Sequence, residues 1–179
     1  MKEQEVILVN EQDEPIGTMG KMEVHQKGLL HRAFSVFLFD AHGRMLLQQR
    51  AAQKYHGALL WTNACCSHPY PGEETEAAAY RRLHEELGIT TPLKEIFSFT
   101  YKAAVENNLT EHEYDHVFAG AYSGAIPYNK EEVADCRYLS MDAVREALQQ
   151  QPSHFTTWFK LAFPTIETWW QQHYLQTTV

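Results

Sequence analysis

Cysteine, excess positive charge and long apolar runs are all scarce in this chain, and each scarcity excludes something. Three cysteines in 179 residues are too few, and odd in number, for a disulfide framework, so a reducing compartment fits. Fifteen Lys and Arg stand against 23 Asp and Glu, a formal charge of −8. That argues against bulk nucleic-acid binding, whose footprint is basic. A small anionic substrate held by a few local cations stays compatible. The longest apolar run, AFSVFLF, is far short of a membrane span. The opening residues, MKEQEVILVNEQDE, show no apolar signal-peptide core and no small-residue cleavage site. A cytoplasmic protein with neither nucleic acid nor membrane as partner is expected.

Hydrophobic residues at 44% and charged residues at 21% are ordinary for a soluble protein. The length suits one domain, 1–179. Its core is expected at about 30–165, with an N-terminal strand and a C-terminal helix packed on it. Val6–Asn10 reads as a strand, with EQDEPIG as its turn. Ala33–Asp40 and MLLQQR, joined by AHG, read as a hairpin. Ala51–Tyr70 reads as irregular, and Ile96–Ala103 and Tyr114–Tyr122 as strands. Thr75–Leu87 is the clearest helix: Ala79, Leu83 and Leu87 form one stripe, Thr75 suits an N-cap and Gly88 a stop. Ser140 suits the cap of a helix MDAVREALQQ. Phe155–Leu175 is an aromatic-rich helical pattern that Pro164 should break or kink. Strands mixed irregularly with about three helices suggest an α/β or α+β sandwich.

Several groups carry chemistry. With Leu83 central in its stripe, Glu85 points to solvent, and Arg82 and Glu86 share one flank. Alone, that pair is a surface salt bridge. Ten dispersed histidines are the compositional oddity. His25, His31 and His68 could join Glu111 and Glu113, which strand spacing puts on one side, in a site for Mn²⁺, Mg²⁺ or Zn²⁺. No tight spacing links them, and a hydrogen-bonded or surface His is the plainer reading of each. WTNACCSHP concentrates a Trp, an amide, two Cys and a His. A Cys is by default a small buried hydrophobe. In an extended segment Cys65 and Cys66 point oppositely. Cys66 as an acid–base group or nucleophile needs surroundings that tune its pKa, and a metal pair with His68 stays open.

From Ser67 to Ile89 the chain, SHPYPGEETEAAAYRRLHEELGI, resembles the Nudix box of diphosphate-handling enzymes. Glu73, Arg81, Leu83, Glu85, Glu86, Gly88 and Ile89 match its pattern. Ser67 replaces its first Gly, and Arg82 replaces the first Glu of its metal-binding trio. That exchange should weaken a hydrolytic centre of several Mg²⁺ ions. Further matches are WTNACCSHP, Lys21 and His25 in KMEVH, His31 in HRAFS, Arg50 and Lys54 in RAAQK, Glu111 and Glu113, and Trp158 in TTWF. Together, over roughly Glu5 to Leu175, they resemble type I isopentenyl-diphosphate isomerases, a non-hydrolytic branch of the Nudix superfamily.

The resemblance implies a single α/β domain with Nudix-like mixed β-sheets sandwiched by helices. It implies conversion of isopentenyl diphosphate to dimethylallyl diphosphate, with Cys66 and Glu113 catalytic and Tyr101 assisting. It assigns a divalent cation (Mn²⁺, Mg²⁺ or Zn²⁺) to His25, His31, His68, Glu111 and Glu113, and a diphosphate-borne Mg²⁺ to Glu86. Lys21, Arg50, Lys54 and Arg82 would hold the diphosphate, and Trp158 would face the isoprenoid tail. Cys65 receives no role. The partner is a small-molecule substrate, the assembly a monomer or homodimer. Two other readings stay open: a Nudix hydrolase of a nucleotide or other diphosphate, and a metal-stabilised binding module without catalysis.

Overall fold

Period-two burial runs through several of the strands, so most of them present one face to a core and one outward. The computed structural model describes residues 4–175. In chain order these form β1 (Glu5–Val9), β2 (Pro15–Gly20), α1 (Lys21–Lys27), β3 (His31–Phe39), β4 (Met45–Arg50), β5 (Trp61–Thr62) and β6 (Cys65–Ser67). There follow α2 (Thr75–Leu87), β7 (Leu93–Val105), β8 (Leu109–Ala121), β9 (Val133–Leu139), α3 (Met141–Gln150) and α4 (Thr157–Trp170). The ends of the domain expected over 1–179, residues 1–3 and 176–179, lie outside the described residues.

The strands form one mixed, curled sheet whose spine is β3. β3 runs parallel to β8 from His31, opposite Glu113, to Phe39, opposite Ala121. Its other edge pairs antiparallel with β6, Ser35 opposite Cys66. Parallel pairing is stable when both faces are covered, and β3 is buried without interruption from Ala33 to Phe39. Phe34, Val36 and Leu38 share one core with Ala79, Leu83 and Leu87 of α2. Phe37 and Phe39 share the other with Phe159, Phe163 and Ile166 of α4. This is the expected sandwich of mixed sheet between helices. Among the described residues no helix is long and apolar enough to cross a membrane.

Five local expectations need correction. Ala51–Tyr70 is not irregular throughout but holds β5 and β6, which other strands pair with. β3 and β4 meet at one pair only, Phe39 with Met45. The edge of β3 is taken by β6, so β4 turns away to β5 and β9. Pro15–Gly20 is not turn but strand, paired with β1. The turn is confined to residues 10–14, where Asn10 Oδ1 accepts from the backbone N–H groups of Gln12 and Glu14. Thr75 is the first helical residue of α2, and Glu74 takes the cap position. Finally, α4 continues through Pro164. Pro164 lies on the exposed side, where the carbonyl it leaves unbonded can meet water, while Phe159 and Ile166 anchor the buried side. Ser140 does cap α3, its Oγ accepting from Ala143 N at 3.2 Å.

Gly88 ends α2 with φ +67°, and a Cβ there would lie 2.9 Å from Pro127 Cγ and 3.0 Å from its carbonyl oxygen. Gly88→Ala should therefore lower the unfolding free energy by about 1–3 kcal/mol. Urea denaturation checks this, and an unchanged midpoint would contradict the packing described.

Candidate active site

Alternation along β8 buries Glu111, Glu113 and Asp115 on one side of the strand. β3 brings His31 beside Glu113. α1 carries Lys21 and His25 one turn apart, and Gly28, with φ +62°, ends it so that the chain can enter β3. His68 follows β6. His68 Nε2 lies 2.9 Å from Glu113 Oε1 and 3.2 Å from His31 Nε2. His31 Nε2 is 3.6 Å from the same Glu113 oxygen, and His25 Nε2 is 3.2 Å from Glu111 Oε2. An octahedral cation with bonds of about 2.1 Å spaces its donors roughly 3.0 Å apart when adjacent and 4.2 Å when opposed. The donor atoms of His25, His31, His68 and Glu113 all lie within 4.8 Å of one another.

Hydrogen bonds fix the orientation of two of these rings. His25 Nδ1 donates to Lys21 O at 2.6 Å, and His31 Nδ1 to Leu29 O at 2.9 Å. A carbonyl only accepts, so each Nδ1 carries the proton and each Nε2 turns a lone pair inward. His25 Nε2 and Glu111 Oε2 are buried with no hydrogen-bond partner. Opposed lone pairs in a buried site are costly, and the donor set fits a divalent cation that would remove the cost. Glu111 is thus close to the cluster through His25, and its second oxygen is 2.9 Å from His56 Nε2.

Burial alone would raise Glu113, but the imidazoles of His31 and His68 beside it hold it well below the usual carboxylate range. Burial and Glu113 push Glu111 up, and the neighbouring imidazoles of His25 and His56 more than offset them. Burial drives His68 down to about 4 despite its carboxylate neighbour. Tyr101 donates its hydroxyl proton to Glu113 Oε2 at 2.7 Å. Burial and the charge of Glu113 keep that phenol protonated far above its ordinary range.

Cys65 belongs to the core under α2 and Cys66 to the opposite side, as neighbours on a strand should. Trp158 Nε1 donates to Cys66 Sγ at 3.0 Å, and Sγ lies 3.1 Å from Asn63 Oδ1, to which it donates. Asn63 is fixed by its own bonds to the carbonyls of Val36 and Cys65. Ser35 Oγ stands 3.7 Å from the sulfur and 2.7 Å from Asp115 Oδ2. Burial, then the charge of Asp115, push the Cys66 thiol up to about 12. Asp115 is itself pushed up, by burial and by Glu113.

Lys21, Arg50, Lys54 and Arg82 line one cleft together with Cys66, Glu86, Glu113 and Trp158. Burial, then Lys54, lower Lys21 to about 8. Arg50 lies 5.2 Å over the Trp158 ring and donates to the carbonyls of His56 and Gly57. Arg82 donates to Glu86 at 2.5 Å and to Glu85 at 2.7 Å. Glu86 also accepts from Gln48. Lys54 pairs with Glu132, which Arg82 approaches at 3.4 Å. Crowded cations in a partly buried cleft repel one another, and a polyanion would relieve them.

Sequence reasoning passed over several residues here. Asp115 continues the alternation of Glu111 and Glu113, so its side was readable. His56, Ser35 and Glu132 sit at spacings that announce nothing, and Asn63, though inside WTNACCSHP, was given no role of its own. The turn of the β7–β8 hairpin also reaches the site: Asn107 Nδ2 donates to Tyr55 O at 2.7 Å, and Gly57 N to Glu106 Oε2 at 3.2 Å.

A cation that binds only the folded state should raise the thermal midpoint. Adding Mn²⁺ or Zn²⁺ to chelator-treated protein should stabilise it by about 2–3 kcal/mol at a hundredfold excess over Kd. Calorimetry checks this, and His31→Ala should remove most of the gain. A midpoint indifferent to metal would contradict the donor set.

Residues 29–159 match the NUDIX domain family. Isopentenyl-diphosphate Delta-isomerase 2 of Photorhabdus laumondii is 50% identical over 169 residues, 92% of this chain and 96% of that protein. An isopentenyl-diphosphate Delta-isomerase of Pectobacterium atrosepticum is 47% identical over 167 residues, 93% of each chain. A crystal structure from Deinococcus radiodurans superposes with a TM-score of 0.69 at 17% identity, covering 83% of this chain and 90% of that one. A MutT protein from Methanosarcina mazei superposes at 0.64 with 16% identity, covering 78% and 94%. These two likenesses concern the fold alone. On the sequence matches, the chain belongs to the isopentenyl-diphosphate Delta-isomerase family and carries its NUDIX domain.

Proposed function

We propose that this protein isomerises isopentenyl diphosphate to dimethylallyl diphosphate by adding a proton at one carbon and removing one from another. Relatives bearing that activity in their names support it over nearly the whole chain. The observation that carries it is that Cys66 and Glu113 line the same cleft. They stand on β6 and β8, the strands that flank β3. One is a thiol and the other a carboxylate, the combination that a proton-in, proton-out reaction requires.

A proton joins the terminal methylene carbon, and the alkene's π electrons form the new C–H bond. Positive charge falls on the adjacent tertiary carbon. Loss of a proton from the carbon on the diphosphate side returns an electron pair as the new double bond. The change is redox-neutral and needs no covalent bond to the protein. Cys66 serves one face of the alkene, and Glu113, bonded by Tyr101, serves the other. The Trp158 ring faces the cationic carbon, a contact worth about 0.5–2 kcal/mol, and helps keep water from it. Lys21, Arg50, Lys54 and Arg82 grip the diphosphate, so binding energy remote from the alkene positions it for transfer. His25, His31, His68, Glu111 and Glu113 would hold one divalent cation (Mn²⁺, Mg²⁺ or Zn²⁺) and Glu86 a diphosphate-borne Mg²⁺, charges that would tune Glu113 and neutralise phosphate oxygens.

Hydrolysis fits the site less well. Arg82 stands where the Nudix trio has a carboxylate, and it neutralises Glu85 and Glu86. The protein works in the cytoplasm on a small isoprenoid diphosphate, as a monomer or homodimer.

NMR of the metal-loaded protein with isopentenyl diphosphate in D₂O tests the reading. Deuterated dimethylallyl diphosphate without phosphate release is expected. Phosphate release without isomerised product would replace the isomerase by a hydrolase. Cys66→Ala should keep the fold by circular dichroism and lose roughly 10²–10⁴-fold in rate. A near wild-type rate would remove Cys66 from the chemistry.

A further inference from the structure

His56 is buried beside the metal cluster, but its hydrogen bonds distinguish it from His25 and His31. Its Nε2 lies 2.9 Å from Glu111 Oε1. A carboxylate oxygen accepts, so this nitrogen carries the proton. The other nitrogen, Nδ1, is buried with no hydrogen-bond partner, so a proton there would be left unsatisfied. The ring is therefore placed as a donor toward Glu111. His68 shares that pattern, its Nε2 2.9 Å from Glu113 Oε1 and its Nδ1 without a partner, but His68 groups with His25, His31 and Glu113, and His56 does not. His25 and His31 show the reverse arrangement, with Nδ1 on a carbonyl and the Nε2 lone pair turned inward.

His25, His56 and Glu111 also group closely enough to suggest an ion of their own. Such an ion would need the lone pair of His25 Nε2, which the group of His25, His31, His68 and Glu113 needs as well. One imidazole nitrogen binds one ion. We propose that His56 is a positioning residue for the metal carboxylate: it binds Glu111 Oε1 and thereby turns Oε2, the oxygen left without a partner, toward the cation. The inference rests on the metal reading of the site given above. His56 is itself held in place. Arg50 Nη2 donates to its carbonyl at 3.0 Å, and its ring meets Trp158 edge-on at 6.0 Å. The residue thus ties the metal carboxylate to the wall that receives the substrate.

Titration of Mn²⁺ into the substrate-free, full-length protein tests this without using activity. His56→Ala should weaken Mn²⁺ binding about 10–100-fold, the usual cost of losing a bond to a metal ligand. His56→Gln, whose side-chain N–H can reach the same oxygen, should stay within about threefold of wild type, well short of that loss. His56→Leu fills the space without a donor and takes the place of His56→Ala if circular dichroism shows the latter unfolded. Pulsed EPR of the bound Mn²⁺ should count the same imidazole nitrogens, those of His25, His31 and His68, in wild type and variants. Unchanged affinity in the donorless variants, or His56→Gln as weak as His56→Ala, would overturn the proposal. One imidazole fewer in the donorless variants would make His56 a direct ligand and overturn it too. Wild type that binds no Mn²⁺ would overturn the metal reading, and this inference with it.

Discussion

His31 and Glu113 are opposite each other on parallel neighbours, and the buried polar groups of the site depend on that register. A slip of one residue along β8 would carry Glu111, Glu113 and Asp115 to the other face and bring His112 and Tyr114 inward. The outer face helps to hold the register. His112 Nδ1 donates to Gly28 O at 2.9 Å. His116 lies between Asp13 and Glu95, at 2.8 and 2.7 Å. Val117 and Phe118, adjacent on β8, enter opposite cores. Two histidines that take no part in the site, His112 and His116, thus help to keep the strand where the site needs it.

Gathering imidazoles and carboxylates in a dry interior opposes folding. Two apolar cores, one on each side of β3, make the gathering tolerable. Charges of opposite sign are then distributed so that few stand alone. Arg82 answers Glu85 and Glu86, Lys54 answers Glu132, and Gln48 satisfies a second oxygen of Glu86. Replacing a carboxylate by Arg82 gives the Nudix helix an internal counter-charge, whereas a trio of carboxylates would need one from outside.

The elements legible in the sequence were those with local causes. α2 shows its stripe and its stop at Gly88, where a left-handed residue is required. α3 shows Ser140. Elements held by distant partners were not legible. β9 exists because β4 turned away from β3, and α1 is a short polar helix fixed by what it brings to the site. Pro164 looked like a break because sequence does not reveal which side of α4 faces water. The site divides in the same way. Motif residues such as Cys66, His68 and Glu113 carried a resemblance. Ser35, beside Cys66, and His56, beside Glu111, meet the site only after folding, at sequence separations that carry no pattern.

The tip of a β-hairpin is ordinarily where a sheet best tolerates inserted residues. In this chain that freedom is withdrawn from the β7–β8 tip. Glu106 and Asn107 bond to the backbone of Gly57 and Tyr55, and that segment carries His56 and the carbonyls on which Arg50 rests. Adding or deleting a residue at the tip would shift a wall of the cleft without replacing any side chain that lines it. Natural length variation among such chains should therefore collect in other surface turns, and those free turns are where a tag or a fused domain can be inserted.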